Sequence, residues 1–314
     1  VLKQQAIAPP HRTCDSNPVN TETSGALVAR LSAAGCVFAE EEAALLIEEA
    51  GSMGDPGYAD RLDDMVRRRI AGQPLEQILG WAEFCGLRVP VAPGVFVPRR
   101  RTELLAEHAV QILATMYGPT TTAGPTTTAG PTVVELCCGS GAVTLAIAAQ
   151  TSSRPTLFQP TLAAPKLFAV DLQPEAVDCA RTSLDGLATV LAGDLFSALP
   201  RELLGRVDIV AANAPYIPSA RLTTLPREAR DHEPALTLDG GSDGLDVLRR
   251  IVSIAPEWLR PGGYLLLECS KQQAKTVRGI MGLHGFSPEI VRRKAADATI
   301  AVGRRNPGKA EAPE

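Results

Sequence analysis

Two short stretches carry residues whose types and spacing fit chemistry rather than packing. The first is Glu135-Leu136-Cys137-Cys138-Gly139-Ser140-Gly141, which follows the apolar pair Val133-Val134 and precedes Val143, Leu145, Ile147 and Ala148. It reads as a buried strand, a tight turn and a helix start. Gly139 and Gly141 remove Cβ atoms that would block close approach, and the helix start offers unpaired N–H groups to a polar ligand. The third glycine of a dinucleotide fingerprint is replaced by Thr144, so the stretch is an acid followed by G-x-G and nothing more. The second stretch, Asn213-Ala214-Pro215-Tyr216, closes the apolar run Val207–Ala212. Taken alone it is also compatible with a plain strand-end turn.

Such residues need strands that end on one edge. Strands are predicted at Leu167–Asp171, Ala188–Ala192, Val207–Asn213, Gly263–Cys269, Glu289–Arg292 and Thr299–Gly303, with helices between most of them. Strand–helix alternation implies a parallel, doubly wound sheet, and ligands of such sheets collect beyond the carboxyl ends of the strands. Polar residues stand there in order. Asp171, followed by Leu172, is placed to accept the hydroxyls of a ribose; Asp194 can take the exocyclic amine of adenine, with Leu195 covering the ring. Only a few residues around Ala295-Ala296-Asp297 join the last two strands, too few for a parallel crossover, so that pair is antiparallel.

Upstream the pattern differs. Residues 1–23 are polar and interrupted by proline, a disordered tail. Residues 24–72 read as a small domain of three to five helices. Ser24 caps a first helix carrying Leu27 and Leu31, Glu40 to Ala50 forms a second, and Ala59 to Ile70 forms a third with Leu62, Met65, Val66 and Ile70 on one face. Residues 73–98 read as a connecting β-hairpin, and 99–117 as a segment whose helix opens at Thr102 and leads into the α/β domain. The repeat of Gly-Pro-Thr-Thr-Thr-Ala at 118–132 is a low-complexity linker, and a second proline-rich loop spans Ser152 to Pro165. The α/β domain occupies 133–304, and 305–314 form a tail.

The net charge of −4 over 314 residues opposes a nucleic-acid partner held through its phosphates. No apolar run is long and clean enough to span a bilayer, and residues 1–24 lack the apolar core of a signal peptide. The seven cysteines form no C-x-x-C pair and no metal-ligand spacing. Free thiols in that number point to a reducing compartment, the cytoplasm, and no metal site is expected.

Glu135-x-x-x-Gly139-x-Gly141 resembles motif I of the S-adenosylmethionine-dependent methyltransferases, and the sheet resembles their Rossmann-like seven-stranded fold, mostly parallel with one antiparallel strand. Asn213-Ala214-Pro215-Tyr216 resembles the N-P-P-Y motif of methyltransferases that modify planar nitrogen. The match extends through Gly72-Gln73-Pro74-Leu75, Ile78-Leu79-Gly80, Glu83-Phe84, Gly86-Leu87, Val97-Pro98-Arg99, Thr102-Glu103, Glu233-Pro234-Ala235-Leu236, Asp239-Gly240-Gly241, Asp243-Gly244-Leu245 and Pro261-Gly262-Gly263. These look like the protein-(glutamine-N5) methyltransferases, the HemK-like family that modifies release factors, over roughly residues 24–303.

The resemblance implies a helical N-terminal domain that grips a protein substrate bearing an exposed glutamine, a release factor or another translation-related protein. It implies S-adenosylmethionine held by Glu135, Cys137, Cys138, Gly139, Ser140, Gly141, Asp171, Leu172, Asp194, Leu195 and Asn213, with Thr102 and Glu103 bordering its methionine end. The reacting set is Asn213, Ala214, Pro215 and Tyr216. The Asn213 side-chain oxygen and the Ala214 carbonyl grip the amide N–H groups, and Tyr216 stacks on the amide plane. The chain departs from the family at Ala214, usually proline, and at Arg100 and Arg101, usually proline and an acid. Two alternatives stay open: adenine-N6 methylation of nucleic acid, and a non-catalytic S-adenosylmethionine-binding partner protein.

Overall fold

The computed structural model describes residues 21–119, 130–154, 156 and 162–307. The expected tail 1–23 lies outside them up to residue 20, as do residues 120–129 of the expected linker, most of residues 155–161 in the second proline-rich loop, and 308–314 of the final tail. The chain divides into two units, Val1–Leu79 and Gly80–Glu314.

The first unit contains α1 (Thr21–Ala33), α2 (Ala39–Ala50), α3 (Tyr58–Ile70) and α4 (Leu75–Leu79). Its helices bury Leu27, Leu31, Ala43, Leu46, Leu62, Met65 and Val66. Two expectations are corrected here. Ser24 lies inside α1 rather than capping it, because no proline or glycine separates it from Thr21 to stop the helix. On α3 the inward position belongs to Arg69 and not to Ile70, which is exposed. The Arg69 guanidinium grips Glu42 of α2 through both carboxylate oxygens, at 2.6 and 3.1 Å, so a charged residue is buried only because its partner is buried with it.

The second unit opens with the hairpin β1 (Trp81–Phe84) and β2 (Leu87–Pro90). Cys85 and Gly86 turn it with positive φ at both positions, the geometry that matches the strands' twist. The expected hairpin span of 73–98 is thus too wide. Leu75–Leu79 is helical, and Val91, Val95 and Val97 are buried from an irregular loop that Pro93, Gly94 and Pro98 keep out of any ladder. A single 3-10 turn, Arg100–Thr102, leads into α5 (Glu103–Tyr117), which ends by placing Tyr117 Oη 2.5 Å from Asp208 Oδ1.

The α/β body follows as β3 (Thr132–Leu136), α6 (Ala142–Ser153), β4 (Lys166–Asp171), α7 (Pro174–Ser183), β5 (Thr189–Ala192), β6 (Val207–Ala212), α8 (Arg227–His232), α9 (Asp246–Trp258), β7 (Leu259–Glu268), α10 (Ala274–Leu283), β8 (Phe286–Arg293) and β9 (Ala298–Arg305). The seven strands lie in the order β5-β4-β3-β6-β7-β9-β8. All pairs are parallel except those of β9, which inserts antiparallel between β7 and β8, as the short connection at 295–297 requires. This is the seven-stranded methyltransferase fold. Side chains alternate across it: Val134, Leu136, Val210 and Leu265 pack on the α9 side, and Val133, Ile209, Ala211 and Leu266 pack on the side of α5 and α6. Strand order reverses between β3 and β6, so their carboxyl ends diverge and leave a crevice.

Candidate active site

The crevice holds about 1030 Å³ of space, counted together with the solvent at its open mouth. β3 and the glycine turn form its floor. Gly139 takes φ +54°, and a Cβ built there would meet nothing nearer than Phe96 O at 3.9 Å, so the space over this backbone is open to a ligand. Gly141 differs. Its φ is +77°, but a Cβ would strike Leu184 Cδ1 at 2.8 Å, so this glycine serves packing against the chain after α7 and does not line the crevice.

Thr144, the residue in place of a third glycine, donates from its N–H (2.8 Å) and its Oγ1 (2.5 Å) to Glu135 Oε2. The carboxylate therefore caps the start of α6 from the end of β3. Burial raises its pKa to about 7 against those two hydrogen bonds. Asp171, at the end of β4, accepts from Gly139 N–H at 2.8 Å and from Gln173 N–H at 3.0 Å, one bond per oxygen. Each oxygen keeps lone-pair capacity toward the crevice. Asp194 also lines it, with Oδ2 paired to Arg250 of α9 at 2.6 Å. Leu195 is buried with φ +51°, a sparsely populated conformation for leucine that points to a position fixed by its surroundings. Cys137, Cys138, Ser140 and Leu172 line the same space.

The residues present fit S-adenosylmethionine. Four acidic residues, Glu135, Asp171, Asp194 and Asp239, line the crevice with one arginine, Arg250, an excess of acid that suits sulfonium and ammonium cations. Ser140 Oγ is buried and has no hydrogen-bond partner among the described residues, an orphan that a polar ligand would satisfy. Glu103 does not belong to this set. Its Oε1 accepts the Cys85 N–H at 3.0 Å, so it ties the hairpin turn to α5 instead of bordering a ligand.

A second cleft adjoins the first and shares Phe96, Asn213, Pro215 and Thr237 with it. Ala214 and Tyr216 line this second space only. Asn213 Nδ2 donates to Thr102 Oγ1 at 3.3 Å, which leaves Oδ1 as the acceptor at the junction. Thr102 makes no side-chain cap to α5, so its part is here. Tyr216 Oη donates to Glu268 Oε1 at 3.1 Å, and burial lifts its pKa well above the usual phenol value.

Gln273, which the sequence did not mark, and three residues it marked only as part of the resemblance hold this corner. Gln273 Nε2 donates to Tyr216 O at 2.9 Å and Gly244 O at 3.1 Å, bracing the Asn213–Tyr216 loop from the turn before α10. A Cβ at Gly244 would lie 2.3 Å from Tyr216 O, which explains the glycine. Glu233 is buried and accepts from Arg99 (2.5 Å) and from Val97 N–H (3.3 Å), joining two distant motifs. Nothing in local spacing marks these partners, since more than 130 positions separate Arg99 and Glu233.

Comparison with known proteins agrees with this geometry. No family model matches the chain. The release factor glutamine methyltransferase of Geobacter sulfurreducens is 37% identical over 225 residues, spanning 71% of this chain and 69% of that one. The Streptomyces coelicolor enzyme of the same name is 36% identical over 230 residues, 73% and 74% of the two chains. The chain belongs to the release factor glutamine methyltransferase family. A further relative, the 4-amino-L-phenylalanine/4-methylamino-L-phenylalanine methyltransferase of Streptomyces pristinaespiralis, is 36% identical over 221 residues, 70% and 69%. Like the release factor glutamine methyltransferases it matches, the chain is an S-adenosylmethionine-dependent enzyme. Among the described residues no helix is long and apolar enough to cross a membrane.

Proposed function

We propose that this protein methylates the side-chain amide nitrogen N5 of a glutamine in a protein substrate, a peptide chain release factor, in the cytoplasm. The observation that carries the reading is the position of Asn213 where the two clefts meet, with its amide nitrogen tied to Thr102.

When bound, S-adenosylmethionine supplies an electrophilic methyl group. The chain's task is to present a poor nucleophile, because an amide lone pair is delocalised into its carbonyl. Asn213 Oδ1 and the Ala214 carbonyl accept the two N–H groups and orient the nitrogen, a task of positioning and not of base strength. A backbone carbonyl survives the exchange of proline for Ala214, which is buried and packed in the main core cluster. Tyr216 supplies an aromatic wall, and Phe96 and Pro215 line both clefts where they adjoin.

Asn213→Ala is expected to lower kcat by at least about a hundredfold while S-adenosylmethionine affinity, measured by calorimetry, stays within a few-fold. If the purified protein with methyl-tritiated S-adenosylmethionine adds no label to any protein in a lysate from cells lacking the gene, the glutamine reading fails. A second reading, methylation of an amine on a free amino acid, is favoured by the Streptomyces pristinaespiralis relative, and label in the small-molecule fraction would select it.

A further inference from the structure

The second cleft holds a cation whose hydrogen-bonding capacity the scheme above leaves unused. Arg101 stands in the 3-10 turn before α5 and lines this cleft with Asn213 and Tyr216. Its Nε donates to Glu268 Oε1 at 3.0 Å, and the same oxygen accepts Tyr216 Oη at 3.1 Å. The guanidinium carbon lies 5.9 Å from the centre of the Tyr216 ring. Glu268, at the end of β7, is buried, and its other oxygen, Oε2, has no hydrogen-bond partner among the described residues. One buried carboxylate thus fixes an arginine and a tyrosine as a single unit on the cleft wall.

A guanidinium carries five N–H donors in a rigid plane. Glu268 takes one and Tyr216 takes at most one, so three or more remain on a side chain that is 41% exposed. Arg99, the other arginine lining the cleft, is less exposed, at 32%, and gives an end nitrogen of its fork, Nη2, to the buried Glu233 at 2.5 Å, whereas Arg101 is held through Nε and keeps both ends of its fork clear of Glu268. A planar fork with free donors, held against an aromatic ring, matches the two oxygens of a carboxylate better than any single neutral acceptor.

Building on the methyl-transfer reading of this cleft, we propose that Arg101 is a specificity-determining residue that binds a carboxylate of the substrate beside the nitrogen to be methylated. That carboxylate comes either from an acidic side chain near the target glutamine or from the α-carboxylate of a free amino acid. Glu268 is the positioning residue that aims the fork.

The test is calorimetric binding to the full chain loaded with S-adenosylhomocysteine. One pair of probes is a short blocked peptide with one glutamine and a nearby aspartate, against its asparagine counterpart. The other pair is free glutamine against glutaminamide. In one pair the wild type is expected to bind the carboxylate form on the order of tenfold more tightly, and that pair names the source. The preference is expected to vanish in Arg101→Gln and to shrink in Arg101→Lys, which keeps a charge beside Glu268 but loses the fork. S-adenosylhomocysteine binding by each variant reports that it is folded. The proposal is overturned if the wild type discriminates in neither pair, or if Arg101→Gln discriminates as the wild type does. Labelled methyl transfer to the same probes is scored separately. Absence of label alongside an intact carboxylate preference would sink the glutamine reading and leave Arg101's part standing.

Discussion

Glu135 lines the crevice with one carboxylate oxygen, Oε2, already committed to the N–H and hydroxyl of Thr144 in the helix that follows it. Burial raises its pKa from 4.5 to about 7 in the folded chain. The folded state therefore holds the proton more tightly than the unfolded state, and the associated stability is complete below about pH 4.5 and lost as pH rises to about 7. The loss amounts to about 3 kcal/mol. The urea midpoint of the ligand-free protein is expected to fall across that window, and Glu135→Gln is expected to flatten the fall. An unchanged pH profile in the variant would assign the ionisation to another group. From the sequence Glu135 was legible as a strand-end acid. Its bond to Thr144 was not, because replacing a glycine by threonine reads as a lost motif position rather than a gained donor.

At the scale of elements, hydrophobic periodicity placed α2 and α3 nearly to the residue but misassigned the end of the buried face. Arg69 and Glu42 are 27 positions apart, and no local pattern pairs them. Burying an arginine costs several kcal/mol unless a partner is buried beside it, so removing the partner should be severe. Glu42→Gln is expected to destabilise the helical unit by about 3 kcal/mol, read as a lowered midpoint of helical signal on heating. The hairpin teaches the converse: the expected strand-like run is a true hairpin only around the Cys85-Gly86 turn, while Val91, Val95 and Val97 beyond β2 look like a strand and are only buried loop. Alternation of apolar residues reports burial, and a strand also needs a neighbour to pair with.

For the whole molecule, the decisive feature is that two clefts meet at Phe96, Asn213, Pro215 and Thr237, beside the reversal of strand order between β3 and β6. Under the proposed function, cofactor and substrate take adjoining spaces that share these four residues. S-adenosylhomocysteine is expected to inhibit competitively against S-adenosylmethionine and not against the protein substrate, as checked by initial-rate kinetics with each varied in turn. Competition against the protein substrate would mean that the product reaches into the second cleft.

The sequence by itself determined the strand–helix order, the antiparallel last pair, the glycine turn and the acids at the strand ends, because these are written in local periodicity and in spacing along the chain. It also marked Asn213 through Tyr216 and the departures at Ala214, Arg100 and Arg101. Only the tertiary structure decided that Gly141 packs against Leu184 and that Glu103 belongs to the hairpin. It alone placed Thr102 against Asn213, Gln273 behind Tyr216, and Glu268 between Tyr216 and Arg101. The reason is physical. Hydrogen bonds between side chains tens to hundreds of positions apart leave no periodic trace, and which of them form is settled when the sheet order brings strand ends together.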